Sequence, residues 1–384
     1  MNKILVLSIV LAFSTFSFMS AQENYLTGIE LSIDQDHLGD LVVGDPLYDR
    51  NYTIGFRLGF YGEYANSTYL GLPFIREKVD GFLIDNLLWN MGFQYDQVSH
   101  NFTFEVNGFS PMHVNDTIPE YEMAVGNGYS LSQDRPFSSF TGFRSTRRLQ
   151  VYKYIPHSAG RLDLAVNSSF TFGFMSLGLA GSLDDLFGAS RPDPILWSND
   201  NSNPNPTGQL MPGGFPVFMY AISAEAVVWR PIKKVLFQLR PEISLGSYTN
   251  VGVGLDFGKV MNVERHIDNL SYTDIHNPGL LVVSDEYIGL SLVGGVMARA
   301  VFYNAHLDRL ITSKQDEYES LMNTKTLVFE GYVGVKLQLF KKLEFNFSIN
   351  RRSSEISSPF SRAATWGTFG MKYLLAESGE GCYD

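Results

Sequence analysis

A row of acidic and hydroxyl side chains near the start of the sequence has residue types that could do chemistry. Glu30, Ser32, Asp34 and Asp36 occupy every second position, so in a β-strand their side chains point to one face. Carboxylate and hydroxyl oxygens are hard ligands that suit Ca²⁺ when they converge near a strand end. A hydrated acidic lumen gives the same pattern, so both interpretations stay open.

A second polar group falls on the next candidate strand. Thr53 and Arg57 share one face of that strand, and pairing of the two strands would bring Thr53 near Asp36. Arg57 would then offset the charge of Asp36 or bind a lipid phosphate. The alternative role of Arg57 is an ion pair inside a barrel, where charged side chains usually pair.

Alternation of apolar and polar residues predicts the strands that position these groups. In the segment 343–350, for example, every second residue is apolar, and Glu344, Asn346, Ser348 and Asn350 lie between them. Such period-two runs are typical of strands. About twelve are predicted, at 25–35, 51–64, 91–108, 137–152, 162–179, 215–230, 233–246, 249–259, 287–303, 325–340, 342–352 and 365–375.

The pattern favours a membrane barrel over a soluble β-sandwich, which would also alternate. The runs are about 9 to 12 residues long, as a tilted membrane-spanning strand requires. Their polar faces carry full charges, such as Arg240, Glu242 and Lys336, which suits a wet lumen. We predict an all-β fold: a closed antiparallel transmembrane β-barrel of about 12 strands, with both chain ends on the periplasmic side.

Four long irregular segments connect the predicted strands, at 65–90, 109–136, 180–214 and 259–286. Their composition, rich in Asn, Pro and Gly in places, predicts loops or short helices at the barrel mouths. Loops are where a rigid scaffold usually carries its function.

The first residues have the layout of a cleavable secretory signal. Lys3 precedes an apolar run over 4–18, and the small residues Ser20 and Ala21 follow it. That run is too short to span a bilayer comfortably, and no other stretch approaches the about 20 apolar residues of a membrane helix. We expect export to a bacterial outer membrane, with a signal over 1–21, a barrel over 22–375 and a polar tail over 376–384.

Composition excludes several classes of protein. The net charge of −11 argues against nucleic-acid binding, because phosphate binding needs clustered Lys and Arg. A disulfide framework is excluded because Cys382 is the single cysteine. Aromatic residues make up 14% of the chain and glycine occurs 35 times, which suits many strands and tight turns. No protein partner is predicted.

Short motifs follow one another along nearly the whole mature chain. They are Ile33-Asp34-Gln35-Asp36; D-R-N-Y-T-I-G from Asp49; Asp134-Arg135-Pro136-Phe137; Ala298-Arg299-Ala300-Val301 with Asn304 and Leu307-Asp308; and Phe369-Gly370 with Tyr373. In this order they resemble the motifs of the outer-membrane lipid A deacylases of the LpxR type. The resemblance implies a twelve-stranded barrel with an active site at the outer-leaflet end, between the wall and a loop helix.

The activity that the resemblance implies is hydrolysis of the 3′ ester chain of lipid A, with calcium dependence. Asp36 matches the family's first-strand Asp, Thr53 its second-strand Thr, and Gln35 stands where the family has Asn. These three are the predicted catalytic residues, and Arg57 and Arg135 are predicted to bind substrate. The metal ligands stay unknown. The expected partners are lipid A or lipopolysaccharide and outer-membrane lipid.

The largest departure from the family is a missing histidine. The family has Q-x-x-x-H on a short helix, whereas here Asp185 stands for the Gln and Ala189 for the His. No histidine occurs between His157 and His266. Ester hydrolysis needs a group that takes a proton from the attacking water, and histidine is the usual one because its pKa lies near operating pH.

Other residues are candidates for that base. Adjacent Asp184 and Asp185 could act if desolvated, and His37 and His113 lie near predicted strand mouths. Solvated loop acids and incidental histidines are the simpler explanation for all of them.

Three functions therefore compete. The first is an ester-hydrolysing lipid A deacylase. The second is a catalytically degenerate barrel of the same family that binds lipid or acts structurally, and the third is a small pore. We predict the first because Asp36, Thr53 and the D-R-x-Y-T-x-G stretch are retained, whereas the missing histidine favours the second.

Overall fold

A closed barrel of twelve antiparallel strands dominates the computed structural model. The structure describes residues 28–35, 54–66, 71–109, 138–154, 161–175, 215–232, 235–260, 288–307, 323–340, 342–357 and 363–374. Each barrel strand pairs with the one before it, and β1 closes the ring on β14. The barrel strands are β1 (Gly28–Gln35), β2 (Ile54–Tyr61), β3 (Gln94–Phe109), β4 (Ser138–Tyr154), β5 (Arg161–Met175), β6 (Phe215–Ile232), β7 (Val235–Gly246), β8 (Tyr248–Val260), β9 (Ile288–Asn304), β11 (Leu327–Leu339), β12 (Leu343–Arg352) and β14 (Ala364–Leu374).

Two further short strands, β10 (Asn323–Thr324) and β13 (Ile356–Ser357), pair with each other outside the barrel sheet. Between β2 and β3 the chain forms a 3₁₀ turn (Glu63–Asn66), helix α1 (Leu72–Asp80), a π-helical turn (Gly81–Asp85) and helix α2 (Asn86–Asn90). No helix in the described part of the chain is long and apolar enough to cross a membrane.

The predicted barrel is confirmed strand by strand. The described part of β5 ends at Met175, and residues 176–179 of the predicted strand lie outside the described residues. The helices between β2 and β3 confirm short helices in the described part of the segment 65–90, but they pack against the outer face of the wall and not at a barrel mouth. The other three predicted loops lie almost wholly outside the described residues, as do the signal over 1–21 and the tail over 376–384.

Alternation along the strands separates two faces of the wall. On β1, Glu30, Ser32 and Asp34 are buried inside, whereas the residues between them face outward. Aromatic rings line the outer face, and the Phe102 and Phe143 rings stack with centroids 5.7 Å apart. Because the barrel is closed, every barrel strand has a neighbour on both sides and no strand edge is left without hydrogen-bond partners. A lipid environment requires this, since it cannot hydrogen-bond backbone groups.

Charged side chains of opposite sign fill the inside of the barrel. Most pairs bridge neighbouring strands, and β5 contributes Asn167, which donates a hydrogen bond to Glu225 at 2.8 Å. The ion pairs are Asp34–Arg57, Glu30–Lys372, Glu105–Arg144, Arg148–Glu225, Arg240–Asp256, Glu242–Arg299, Arg299–Glu330, Glu330–Arg352 and Lys336–Glu344. We call this set the lumen ion-pair ring.

Apolar side chains fill the inside at the end where β3 and β5 stop, which we call the loop-side mouth. Phe140, Met175, Val217 and Ala305 form one buried cluster. Phe109, Ala364 and Trp366 form a second one, and the Phe109 ring lies 4.7 Å from that of His306.

Two facing glycines let the first cluster form. Gly142 pairs with Gly173 across β4 and β5, and the Phe140 ring lies over both of them. A Cβ on either glycine would come within 2.5 Å of that ring. The described part of the mouth is therefore packed with apolar side chains.

We expect the purified protein to form no stable ion-conducting channel in planar lipid bilayers. The charged side chains of the ion-pair ring are buried and paired, and apolar side chains pack at the loop-side mouth, so we expect the described part of the lumen to be too filled for ions to pass. Single-channel recording measures this, with heat-modifiable gel migration to prove that the inserted protein is folded. Steady, porin-sized current steps from folded protein would contradict this prediction.

Candidate functional site

Of the three predicted catalytic residues, Gln35 lies in the described part of the chain, at the end of β1. Gln35 ends β1, Ile54 begins β2, and the two residues pair. Gln35 is half-buried and lies on the face opposite to Asp34. Asp36 directly follows Gln35 and Thr53 directly precedes Ile54 in the sequence; both lie outside the described residues.

Arg57 lies inside the barrel as part of the lumen ion-pair ring. Its Nη2 donates a hydrogen bond to Oδ2 of Asp34 at 2.9 Å, and both side chains are buried. This is the ion-pair role that the sequence left open for Arg57. Its binding of substrate stays a prediction, and so does that of Arg135, which lies outside the described residues.

The acidic row on β1 is paired rather than converging on a cation. Glu30 accepts a hydrogen bond from the Tyr61 hydroxyl and lies 3.6 Å from Nζ of Lys372, while Asp34 pairs with Arg57. These two carboxylates are therefore paired with cations inside the barrel, while Asp36, the last member of the row, lies outside the described residues.

No calcium site is evident in the described segments. They contain no group of three or more His, Cys, Asp or Glu side chains that could hold a metal ion. Asp36 and the candidate bases Asp184, Asp185, His37 and His113 all lie outside those segments.

A second polar site was missed by sequence reasoning. Residues 72–90, which we call the wall helix, lie against the outer face of the barrel. Ile84 and Leu88 of this helix pack on Leu149 of β4 and Val166 of β5, whose side chains point outward. The helix begins after Gly71, whose φ of 71° is left-handed, a conformation that glycine adopts without strain.

Asp80 is the centre of the polar contacts beneath the wall helix. Ser168 donates a hydrogen bond to its Oδ2 at 2.7 Å, and Tyr220 donates one to its Oδ1 at 2.7 Å. Arg147 Nη1 lies 3.5 Å from Oδ2, and Arg76 Nε lies 3.6 Å from it. A single carboxylate thus joins the helix to three strands of the wall.

Arg76 adds the second charge, one turn before Asp80 on the helix. Its Nη1 donates to Ser145 Oγ at 2.8 Å and its Nη2 to Asn66 Oδ1 at 2.7 Å. His100 Nδ1 lies 3.3 Å from the same Nη2. Burial lowers the pKa of Arg76 to about 10, and Asp80 and Glu77 oppose that shift. Arg76 therefore stays protonated at neutral pH.

The arrangement around Asp80 holds the helix in place and has no catalytic geometry. A hydrolytic triad needs a nucleophile that is hydrogen-bonded to a base. Here Ser168 donates to Asp80, whereas His100 contacts Arg76. Among the described contacts, the histidine and the serine are not joined.

The only sequence signal for this site was weak. On β4, Arg147 has the outward parity of Leu149, whereas Arg148 points inward to Glu225. An outward arginine in the middle of a membrane strand indicates that something polar covers it. The charge run Arg147-Arg148 conceals this signal because adjacent residues alternate between faces.

Comparison with known proteins supports the fold. LpxR from Salmonella typhimurium aligns with a TM-score of 0.54 and 17% identity, over 90% of this chain and 99% of that one. The β-domain of the Bordetella autotransporter BrkA aligns with a TM-score of 0.37 and 8% identity, over 91% and 99% of the two chains. The KdgM porin aligns with a TM-score of 0.33 and 6% identity, over 90% of this chain and 98% of that one.

No protein-family model matches the sequence, and no curated protein sequence does. At these low identities the similarity concerns the fold alone. The chain has the fold of an outer-membrane β-barrel. More narrowly, its fold resembles that of LpxR.

We expect Asp80→Asn to release the wall helix from the barrel. Removing one partner of a buried ion pair costs about 3–5 kcal/mol, and Arg76 would lose its nearest carboxylate. Limited trypsin digestion in detergent measures the release as new cleavage after Arg76 or Lys78, in protein whose barrel keeps its heat-modifiable migration. Tyr220→Phe, which removes one hydrogen bond worth about 1 kcal/mol, should have a smaller effect.

Glu77→Gln is the matched control, because Glu77 is an exposed carboxylate on the same helix. It should be as resistant to trypsin as the wild type. If Asp80→Asn resists equally, the Asp80 contacts do not hold the helix.

Proposed function

We propose that this protein acts on lipid at the outer leaflet and hydrolyses an ester-linked acyl chain of lipid A. The observation that carries the proposal is the similarity of the fold to that of LpxR, with which the order of the sequence motifs agrees. The order of sequence motifs resembles that of the LpxR-type lipid A deacylases, and the fold is LpxR-like with a TM-score of 0.54.

The pairing of Gln35 with Ile54 supports a joint role for Asp36 and Thr53. Each of these residues is the next one in the chain beyond a member of that pair. Asp36 and Thr53 themselves lie outside the described residues, so their joint role stays a proposal.

The packed lumen favours a lipid-acting barrel over a pore. Buried residues of the ion-pair ring, such as Arg240, Arg299 and Lys372, are each at most 1% exposed. A solute channel of useful width would wet these side chains. Function is therefore better sought at the mouth and on the outer wall, where a lipid can approach from the membrane.

Ester hydrolysis adds one water across the acyl–oxygen bond. A base takes a proton from the water, the oxygen attacks the acyl carbonyl, and the sugar hydroxyl leaves with a proton. Asp184, Asp185, His37 and His113 stay the candidate bases. Calcium, implied by the family resemblance, also stays a prediction. Glu30 and Asp34 are paired with Lys372 and Arg57.

A barrel that binds lipid without hydrolysing it is the second candidate function. It is favoured by Ala189, which stands where the deacylase family has its histidine. Such a protein would keep the mouth and the outer wall but lack a group that activates water.

We expect lipid A from cells that express the wild type to lose one acyl chain, as measured by mass spectrometry. Asp36→Asn and Thr53→Ala should leave lipid A intact, because each removes a predicted catalytic group. Glu77→Gln, which removes a carboxylate from the wall helix, is the control for loss of one negative charge. This variant should still deacylate lipid A.

All variants must reach equal folded levels, which heat-modifiable migration reports. Unchanged lipid A beside properly assembled wild type would refute hydrolysis of lipid A and leave the lipid-binding barrel. Deacylation by all variants would instead reject the roles of Asp36 and Thr53.

A further inference from the structure

The wall helix exposes a set of large apolar side chains on its outer face, while Ile84 and Leu88 pack against the barrel wall. Phe82 is 76% exposed, Trp89 75% and Phe74 52%, whereas Arg76 and Asp80, which face the barrel, are fully buried. Ile75, Leu83 and Leu87 add further exposed apolar surface.

Buried charges beneath exposed aromatic rings are unusual for a helix on the surface of a soluble protein. In water, a helix turns its apolar stripe to the core and its charges to the solvent. In lipid, charged side chains face the protein and pair there, because the surrounding medium cannot solvate them. The arrangement of Arg76 and Asp80 under Phe74 and Phe82 therefore suits a helix whose outer surroundings are apolar.

The barrel wall beneath the helix explains why it is needed there. Ser145, Arg147 and Ser168 point outward, although Ser145 lies nine residues from the lower end of β4 at Tyr154. Polar groups at that depth are costly in lipid. Arg76 and Asp80 bind the two serines, and Asp85 accepts hydrogen bonds from Arg147 Nη1 at 3.1 Å. The helix therefore converts a polar stretch of the wall into an apolar one.

The apolar surface of the helix continues that of the exposed wall. Phe218 on β6 is 52% exposed and Trp229, further down the same strand, is 60% exposed. The helix runs in the same direction, since the Met91 carbonyl accepts a hydrogen bond from Lys153 near the lower end of β4. That end is also where β1 begins and β14 finishes.

Two outward charges on α1 are compatible with this environment. Glu77 and Lys78 are adjacent and opposite in sign. Asn66 donates a hydrogen bond to Glu77, and the Lys78 ammonium lies over the Phe74 ring, 5.3 Å from its centroid. Long charged side chains of this kind also extend toward headgroups while their stems stay in lipid.

We propose that the outward face of the wall helix is a membrane-binding surface, whose ligand is the acyl chains of the leaflet on the side of the chain ends. Trp89 lies toward the headgroups, where tryptophan is enriched in membrane proteins. The inference rests on the barrel's membrane location and is independent of ester hydrolysis.

Tryptophan quenching by brominated lipid tests the proposal. A variant that keeps only Trp89, with Trp197, Trp229 and Trp366 replaced by Phe, is reconstituted in phosphatidylcholine vesicles with or without bromine near the glycerol end of the chains. Matched variants keep only Trp229, on the outer wall, or only Trp366, inside the mouth. Trp89 should be quenched as strongly as Trp229, and several-fold more than Trp366.

A second measurement needs no tryptophan replacement. Phe82→Cys in a Cys382→Ser background should react slowly with a water-soluble maleimide in vesicles and rapidly after unfolding. Trp89 that escapes bromine but is quenched by aqueous iodide, or Phe82→Cys that reacts in vesicles as fast as in unfolded protein, would overturn the proposal. So would a disulfide-linked dimer through Phe82→Cys without bromine quenching, which would assign the face to a second copy.

Discussion

The lumen ion-pair ring is the interaction on which the rest of the structure depends. Arg299 illustrates it, since this buried side chain on β9 contacts Glu242 on β7 and Glu330 on β11. A barrel in lipid must turn its apolar residues outward, so its interior receives the polar ones. Opposite charges make that interior packable, because an unpaired buried charge would cost several kcal/mol.

A packed interior moves function to the surfaces that lipid can reach. At the loop-side mouth, Gln35 and Ile54 form the pair next to Asp36 and Thr53. On the outer wall, the wall helix covers the one polar stretch described there and replaces it with apolar side chains. Ion pairing thus plays the same part twice, inside the lumen and beneath the helix, and in both places it leaves an apolar surface for the membrane.

Sequence reasoning could predict what depends on local periodicity. The twelve strands follow from alternation, and the β12 segment from Leu343 is the clearest case. Contacts between distant residues could not be predicted. Asp80 and Tyr220 are 140 residues apart, and nothing in the sequence of 65–90 indicates which wall the helix covers. The parity of Arg57 placed it inside the barrel, but its partner became known only from the register of β1 and β2.

The central functional claim is that a closed barrel hydrolyses lipid A from outside its lumen. Fatty-acid release by purified protein in vesicles that contain lipid A tests it most directly, with calcium present and folding verified. Our account predicts release by the wild type and none by Asp36→Asn. Absence of release from folded wild-type protein would contradict it and identify a barrel that binds lipid without cleaving it.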